Sequence, residues 1–186
     1  MNQKVTRRQL FRSLTGQGGL RRPPGAVAEE RFMELCDGCG ECIAACARES
    51  GVLAADRGGA PVMDFGKGFC VFCGDCLRAC KTGALDASLA DAVEAGEWRF
   101  PWRMEISRDA CMEFSGVTCR LCESACEERA IRFRPMPGHV TRAWVEVEEC
   151  NGCGECLSRC PRQAIVIIET SGADPASGNT ARECAA

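Results

Sequence analysis

The apolar residues of this chain fall in short runs rather than long ones. Apolar and polar residues alternate over 140–147, and two further apolar-rich runs cover 129–133 and 164–168. A period of two is typical of strands with one buried face. We therefore expect three short strands in the second half of the chain, and little apolar core around them.

A helix, a turn and a tail are predicted beside these runs. Residues 90–97 fit a short helix that ends before Pro101, because proline cannot continue a helix. The proline- and glycine-rich residues 134–138 predict a turn. The small polar residues of 171–186 predict a disordered tail. No stretch approaches the roughly 18 apolar residues of a membrane span, so no transmembrane segment is expected.

Cysteine is unusually frequent, at 17 of 186 residues. That share, about 9%, indicates a disulfide scaffold or a metal framework. Seven cysteines recur at a fixed offset of 80 positions, which indicates a duplicated unit. They are Cys39, Cys42, Cys46, Cys70, Cys73, Cys76 and Cys80, with Cys119, Cys122, Cys126, Cys150, Cys153, Cys156 and Cys160. An eighth pair departs from the offset, since Cys36 corresponds to Gly116 and the cysteine stands upstream, at Cys111.

The repeat divides the chain into five segments. We expect a basic N-terminal arm at 1–30, a first unit at 31–86, a linker at 87–105, a second unit at 106–170 and the disordered tail at 171–186.

Three cysteine runs share the spacing C-x2-C-x2-C-x3-C, in which successive thiolates wrap one 4Fe-4S cubane. The runs begin at Cys36, Cys70 and Cys150, and Cys111, Cys119, Cys122 and Cys126 form a fourth, looser group. Neighbouring glycines permit the backbone angles that such tight loops need. The sequence thus predicts a small α+β protein with a duplicated bacterial-type two-cluster ferredoxin fold. It is loop-rich and held together by four 4Fe-4S clusters on sixteen cysteines.

The ligands are expected to cross within each unit, because the fourth cysteine of a run ligates the other cluster of the pair. The first set is then Cys36, Cys39, Cys42 and Cys80, and the second Cys70, Cys73, Cys76 and Cys46. The third is Cys111, Cys119, Cys122 and Cys160, and the fourth Cys150, Cys153, Cys156 and Cys126. Metal bonds should supply most of the folding free energy.

Zinc is the alternative metal, since paired C-x2-C motifs make tetrahedral zinc sites. Zinc does not require a third cysteine at the same spacing and a fourth three residues on, so iron-sulfur clusters are favoured. Disulfides belong to exported proteins. Residues 6–11 look like a twin-arginine export signal, but Arg12, Gln17 and Arg21 interrupt the apolar region that should follow. We therefore expect a cytoplasmic protein with reduced cysteines.

Charge is unevenly distributed along the chain. The net charge is −3, but residues 1–30 carry +4 and the remainder −7. An acidic body argues against nucleic acid as a partner, because phosphate binding needs a basic face. Leu10, Phe11 and Leu14 give the arm an apolar edge beside its arginines, which suits binding to a partner. A solvated, disordered leader is the equal alternative.

Other side chains are assigned structural roles. Cys184 is expected to be a free thiol in the tail, and His139 a solvated loop residue. Trp98, Trp102 and Trp144 are expected to anchor small cores. No hydrolytic or acid-base constellation is present in the sequence, so the chain is expected to transfer electrons rather than act as an enzyme.

The third cysteine group carries a family resemblance. Its residues 109–111, 119–122, 126–127 and 132–135 resemble the NapF-type ferredoxins of periplasmic nitrate reductase systems, and so do residues 6–8 and 22–24. The likeness covers roughly residues 6–168. It implies a cytoplasmic accessory protein that acts on the nitrate reductase catalytic subunit, a molybdenum and iron-sulfur enzyme, before export. That act is electron supply or help with cluster assembly. The alternative is an electron-transfer subunit of a standing oxidoreductase complex.

Overall fold

A computed structural model describes residues 20–136 and 140–170. The predictions made for residues 1–19, His139, Cys184 and the tail at 171–186 lie outside these described residues.

Short helices and strands alternate along the described chain. The helices are α1 Glu29–Leu35, α2 Glu41–Cys46, α3 Asp75–Ala79, α4 Ala90–Glu94, α5 Leu121–Ala125 and α6 Glu155–Arg159. The strands are β1 Leu53–Ala55, β2 Pro61–Met63, β3 Trp102–Ile106, β4 Ile131–Met136, β5 Val140–Val145 and β6 Ile165–Glu169. Single turns of 3-10 helix occupy Ala87–Leu89 and Met112–Ser115. The small α+β class predicted from the sequence is confirmed.

Each unit contains an antiparallel hairpin, and the two hairpins correspond residue by residue. In the first, β1 pairs with β2 so that Leu53 faces Met63. In the second, β4 pairs with β5 so that Phe133 faces Ala143. Phe133 lies 80 positions after Leu53, and Ala143 lies 80 positions after Met63, which is the offset that relates the cysteines. The duplication in the sequence is therefore a duplication of backbone pairing.

The start and end of each unit also pair. In the second unit β3 runs antiparallel to β6, and Ile106 faces Ile165. In the first unit the equivalent contact is a single bridge between Ala26 and Leu85, again 80 positions earlier. Because the ends of each unit meet, the two cysteine runs inside it are brought side by side.

The predicted elements are largely present. Strands β4, β5 and β6 fall on the three runs that the alternation indicated. Helix α4 begins at Ala90 as predicted but ends at Glu94, because Gly96 takes a left-handed φ of 77° soon afterwards. The predicted turn at 134–138 is wrong in its first half, since β4 continues through Pro135 to Met136. A two-stranded hairpin has only edge strands, where a missing N–H is tolerated.

Residues 87–105, expected to be a linker, contain a 3-10 turn, α4 and most of β3. Phe100 and Trp102 from this segment are buried and stack with ring centroids 4.3 Å apart. The Trp102 indole donates a hydrogen bond to the Gly152 carbonyl at 3.1 Å, which ties the segment to the second unit. Trp102 is thus a core anchor as predicted, and Trp98 packs half-buried against the same core.

The described end of the basic segment is packed into the first unit. Arg22 is only 8% exposed, and its guanidinium donates to both carboxylate oxygens of Glu29, to Asp56 and to the Pro61 carbonyl. It also lies 4.4 Å from the ring centroid of Phe32, a cation–π contact. Arg22 therefore anchors residues 20–30 to the unit.

Candidate metal centres

The sixteen cysteines of the four groups gather around four small cavities, four cysteines to each. The first cavity is lined by Cys36, Cys39, Cys42 and Cys80, and the second by Cys46, Cys70, Cys73 and Cys76. The third is lined by Cys111, Cys119, Cys122 and Cys160, and the fourth by Cys126, Cys150, Cys153 and Cys156. Each cavity thus joins three cysteines of one run to the last cysteine of the other run in its unit. All sixteen are free of disulfides.

Left-handed glycines shape three of the four loops. Helices α2, α3 and α6 each follow a glycine, Gly40, Gly74 and Gly154, with φ of 76°, 75° and 86°. A side chain at these positions would be strained. The glycine turns the chain so that the third cysteine of the run enters a one-turn helix and faces the cavity. In the third group Arg120 stands at this point with a φ of −127°, so that loop is built differently.

Backbone N–H groups point at several cysteine sulfurs. The last cysteine of three runs accepts such a bond on Sγ: Cys80 from Leu85 at 3.4 Å, Cys126 from Ala130 at 3.3 Å and Cys160 from Ala164 at 3.2 Å. In the remaining run, the hydroxyl of Ser50 lies 3.5 Å from Cys46 Sγ. Hydrogen bonds to cluster sulfurs stabilise negative charge and help to set reduction potentials.

The second cysteine of two runs is positioned by a side chain two residues earlier. The Cys39 N–H donates to Asp37 Oδ1 at 3.1 Å, and the Cys153 N–H donates to Asn151 Oδ1 at 3.0 Å. These are Asx turns, in which a short polar side chain replaces a backbone acceptor. The bond from Cys39 lowers the pKa of Asp37.

In the third group Glu113 takes over this role. The residue 80 positions after Asp37 is Val117, which has no acceptor. Instead the Cys119 N–H donates to Glu113 Oε2 at 2.7 Å, and Glu113 is buried despite its charge. Glu113 was not among the predicted site residues. The available signal was that it is the only acidic residue between Cys111 and Cys119.

Burial makes seven of the cysteine thiols harder to ionise, because a buried thiolate loses its hydration. The pKa is raised to about 11 at Cys42, Cys122 and Cys153 and to about 12 at Cys70, and it is also raised at Cys73, Cys76 and Cys156. At Cys80 burial acts in the same direction, but hydrogen bonds from Leu85 and Thr82 outweigh it and lower the pKa. Metal ligands must be deprotonated, so iron binding is expected to release protons from these thiols.

The donor sets fit a 4Fe-4S cluster. A cubane takes one thiolate on each of four irons, so its ligands surround it rather than converge on one point. Each cavity offers four thiols in a mainly apolar lining, with hydrogen-bond donors at the sulfurs. Among residues 20–136 and 140–170, no three His, Cys, Asp or Glu side chains are grouped as ligands of a single ion. That each of these cysteines binds iron stays a prediction.

No helix in the part of the chain that the structure describes has the length and apolar character needed to cross a membrane.

The sequence matches a known domain family twice. The 4Fe-4S dicluster domain covers residues 35–84 and 117–169, together more than half of the chain. The first match contains all eight cysteines of the first unit, and the second begins after Cys111 and contains the other seven cysteines of the second unit.

Named relatives extend the similarity over most of the chain. The ferredoxin-type protein NapF of Escherichia coli (strain K12) is 35% identical over 77% of this chain and 82% of its own length. NapF of Haemophilus influenzae is 33% identical over 78% of this chain and 77% of its own length. The methylamine utilization ferredoxin-type protein MauM of Methylorubrum extorquens is 29% identical over 75% of this chain and 67% of its own length.

Proposed function

The chain belongs to the NapF-type ferredoxins, and we propose that it holds four 4Fe-4S clusters and passes single electrons as an accessory protein of a periplasmic nitrate reductase system. The observation that carries the proposal is the set of four cavities, each lined by four cysteines. The four cysteines that line each cavity are the four that crossed ligation would bring to one cluster.

The residues divide the work at each site. Four thiolates hold the cluster, and backbone N–H groups such as those of Leu85, Ala130 and Ala164 donate to the sulfurs. Buried apolar side chains around the sulfurs restrict water. The clusters, when bound, supply one-electron storage, and hydrogen bonding and burial by the chain tune their potentials.

The partner we propose is the catalytic subunit of the periplasmic nitrate reductase, met in the cytoplasm before export. The resemblance to NapF-type ferredoxins supports this partner. Two acts fit the chemistry: electron supply to the catalytic subunit, or help in assembling its iron-sulfur cluster.

Similarity to MauM favours a second candidate. That relative is a ferredoxin-type protein of methylamine utilization, so chains of this kind also serve another system. The second candidate is an electron-transfer subunit of a standing oxidoreductase complex. Its cysteines would bind the same clusters as in the first candidate. The difference is that it would form a stable complex with the enzyme it serves.

Two measurements test these proposals. Anaerobically reconstituted full-length protein should contain about sixteen iron and sixteen acid-labile sulfide per chain, as four cubanes require. About twelve of each would contradict four clusters, and bound zinc in a colourless protein would contradict iron-sulfur binding.

An anaerobic pull-down from cytoplasm then separates the two roles. An accessory protein should be recovered with the catalytic subunit before export and be absent from the mature enzyme. A stoichiometric complex with the mature enzyme, needed for its turnover, would instead support the second candidate.

A further inference from the structure

The second and fourth cavities meet where the two units touch. The backbone N–H of Cys70, in the second cavity, donates to the Cys153 carbonyl, in the fourth, at 2.9 Å. A direct main-chain bond therefore connects a ligand loop of one unit to a ligand loop of the other.

An aromatic ring seals this contact. A Cβ added to Gly154 would lie 2.2 Å from ring atoms Cδ1 and Cε1 of Phe65, a residue of the first unit. The Phe65 ring therefore lies directly on the backbone of the fourth cavity's loop, in space that only a glycine leaves open. A second aromatic contact joins Phe72 of the first unit to Phe100, with ring centroids 5.6 Å apart.

Within each unit the cavities are also neighbours. In the first unit, α2 carries Cys42 of the first cavity and ends at Cys46 of the second, four residues later. In the second unit, α5 carries Cys122 of the third cavity, and Cys126 of the fourth follows directly after α5. These two helices and the junction at Cys70 connect the cavities in the order first, second, fourth, third.

We propose that the four sites form one row in this order, and that the junction of Phe65 on Gly154 with the Cys70–Cys153 bond makes the chain a single electron conduit rather than two independent ferredoxin units. The inference rests on the proposed function, because it requires clusters in all four sites. Each transfer oxidises one reduced cluster by one electron and reduces its neighbour by one, with no bond made or broken. The electron enters from an external reductant, which is dithionite in the test below.

The ends of the row are accessible to partners. Cys39 of the first cavity is exposed. At the other end, Leu121 lines the third cavity and is 51% exposed, and Val117 of the preceding loop is 55% exposed. Entry at one end and exit at the other would make the central junction necessary for transfer through the chain.

Three variants of the full-length chain isolate the junction. Gly154→Ala forces a methyl group into the Phe65 ring. Gly40→Ala is the matched control, because Gly40 has the same loop position and a similar φ of +76° but nothing within 4 Å of its Cβ. Phe65→Ala removes the ring without changing any ligand loop, so it keeps the test valid if Gly154→Ala loses its cluster.

The readouts are iron and sulfide content, then the electron paramagnetic resonance spectrum of the dithionite-reduced protein. Reduced clusters that are neighbours broaden one another's signals, and this interaction falls steeply with distance. We expect Phe65→Ala and Gly154→Ala to lose the broadening that joins the two units, and Gly40→Ala to keep it. Full loading of Phe65→Ala with unchanged broadening would overturn the junction. Iron content below four clusters in the unaltered chain would instead contradict the proposed function.

Discussion

The carboxylate of Glu113 accepts a hydrogen bond from the backbone N–H of Cys119 across 2.7 Å. Asp37 and Asn151 make the same kind of bond to Cys39 and Cys153 from only two residues away. Glu113 reaches its partner from six residues away, because the Met112–Ser115 turn folds the longer loop back. The irregular spacing of the third group is thus accommodated by a substitute acceptor.

Replacing Glu113 with alanine should weaken the third site selectively. Removing the acceptor leaves a part-buried N–H unsatisfied, at a cost of about 1 to 3 kcal/mol. We expect Glu113→Ala to lose the iron and sulfide of one cluster on mild chelation, and Glu113→Gln to retain them because an amide oxygen also accepts. Equal iron retention by both variants would remove Glu113 from the site.

Crossed ligation can be tested by combining cysteine substitutions. Cys46 lines the cavity of Cys73, although it belongs to the run of Cys39. If Cys46 and Cys73 hold one cluster, the double variant Cys46→Ser with Cys73→Ser should lose no more iron than either alone. Cys46→Ser with Cys39→Ser should lose two clusters. The reverse pattern would show that each run holds its own cubane, and Cys184→Ser should leave iron content unchanged.

Arg22 should matter for stability rather than for partner binding. Its side chain is 7% exposed and bonds to Asp56, which is 16% exposed, and to the half-exposed Glu29. Arg22→Ala leaves the Asp56 charge without its partner, and we expect a loss of about 2 to 4 kcal/mol in the free energy of unfolding. Arg31→Ala, which breaks the exposed pair with Glu34, is the control and should change little. Anaerobic urea denaturation measures both, and equal midpoints would contradict the anchoring role.

The same network predicts a dependence on acid. Burial acts to raise the pKa of Asp56, but hydrogen bonds from the Gly58 and Ala60 N–H groups and from Arg22 outweigh it and lower the pKa. Because the pKa of Asp56 is lower in the folded state, its contribution to stability is complete above the unfolded-state pKa of about 3.9. That contribution is lost as the pH falls through the folded-state pKa. We expect Asp56→Asn to flatten the stability profile below about pH 4. Unfolding can be followed by tryptophan fluorescence at each pH. If the free energy of unfolding changes with pH equally in both proteins, Asp56 does not contribute to the acid dependence.

Features carried by residue spacing were predictable, and features that depend on distant contacts were not. The offset of 80 predicted the duplication, and it holds for the pairing of Leu53 with Met63 as it does for the cysteines. The sequence alone places Arg22 in a basic arm, because nothing local marks Asp56, 34 positions away, as its partner. The contact of Phe65 with Gly154 joins the two units across an even longer separation. No local pattern marks such pairs.

The N-terminal arm should bind the partner without contributing to the clusters. Residues 1–19 carry Lys4, Arg7, Arg8 and Arg12 and no acidic residue, on a chain with net charge −3. Their positive charge should attract an acidic surface of the catalytic subunit, in a salt-dependent manner. A chain lacking residues 2–19 keeps Arg22 and its bonds, so full iron content is expected. Binding to the catalytic subunit should fall.

Replacing both Arg7 and Arg8 with alanine should lower this affinity in part, since Lys4 and Arg12 remain. The control is Arg57→Ala, which removes one positive charge from the body of the first unit and should leave affinity unchanged. Anaerobic binding at low and at high salt measures all three proteins. If the arm acts through charge, the difference between full-length and truncated protein should shrink as salt rises, because counterions screen exposed charges. Equal binding by the full-length and truncated chains at low salt would show that the arm has no part in recognition.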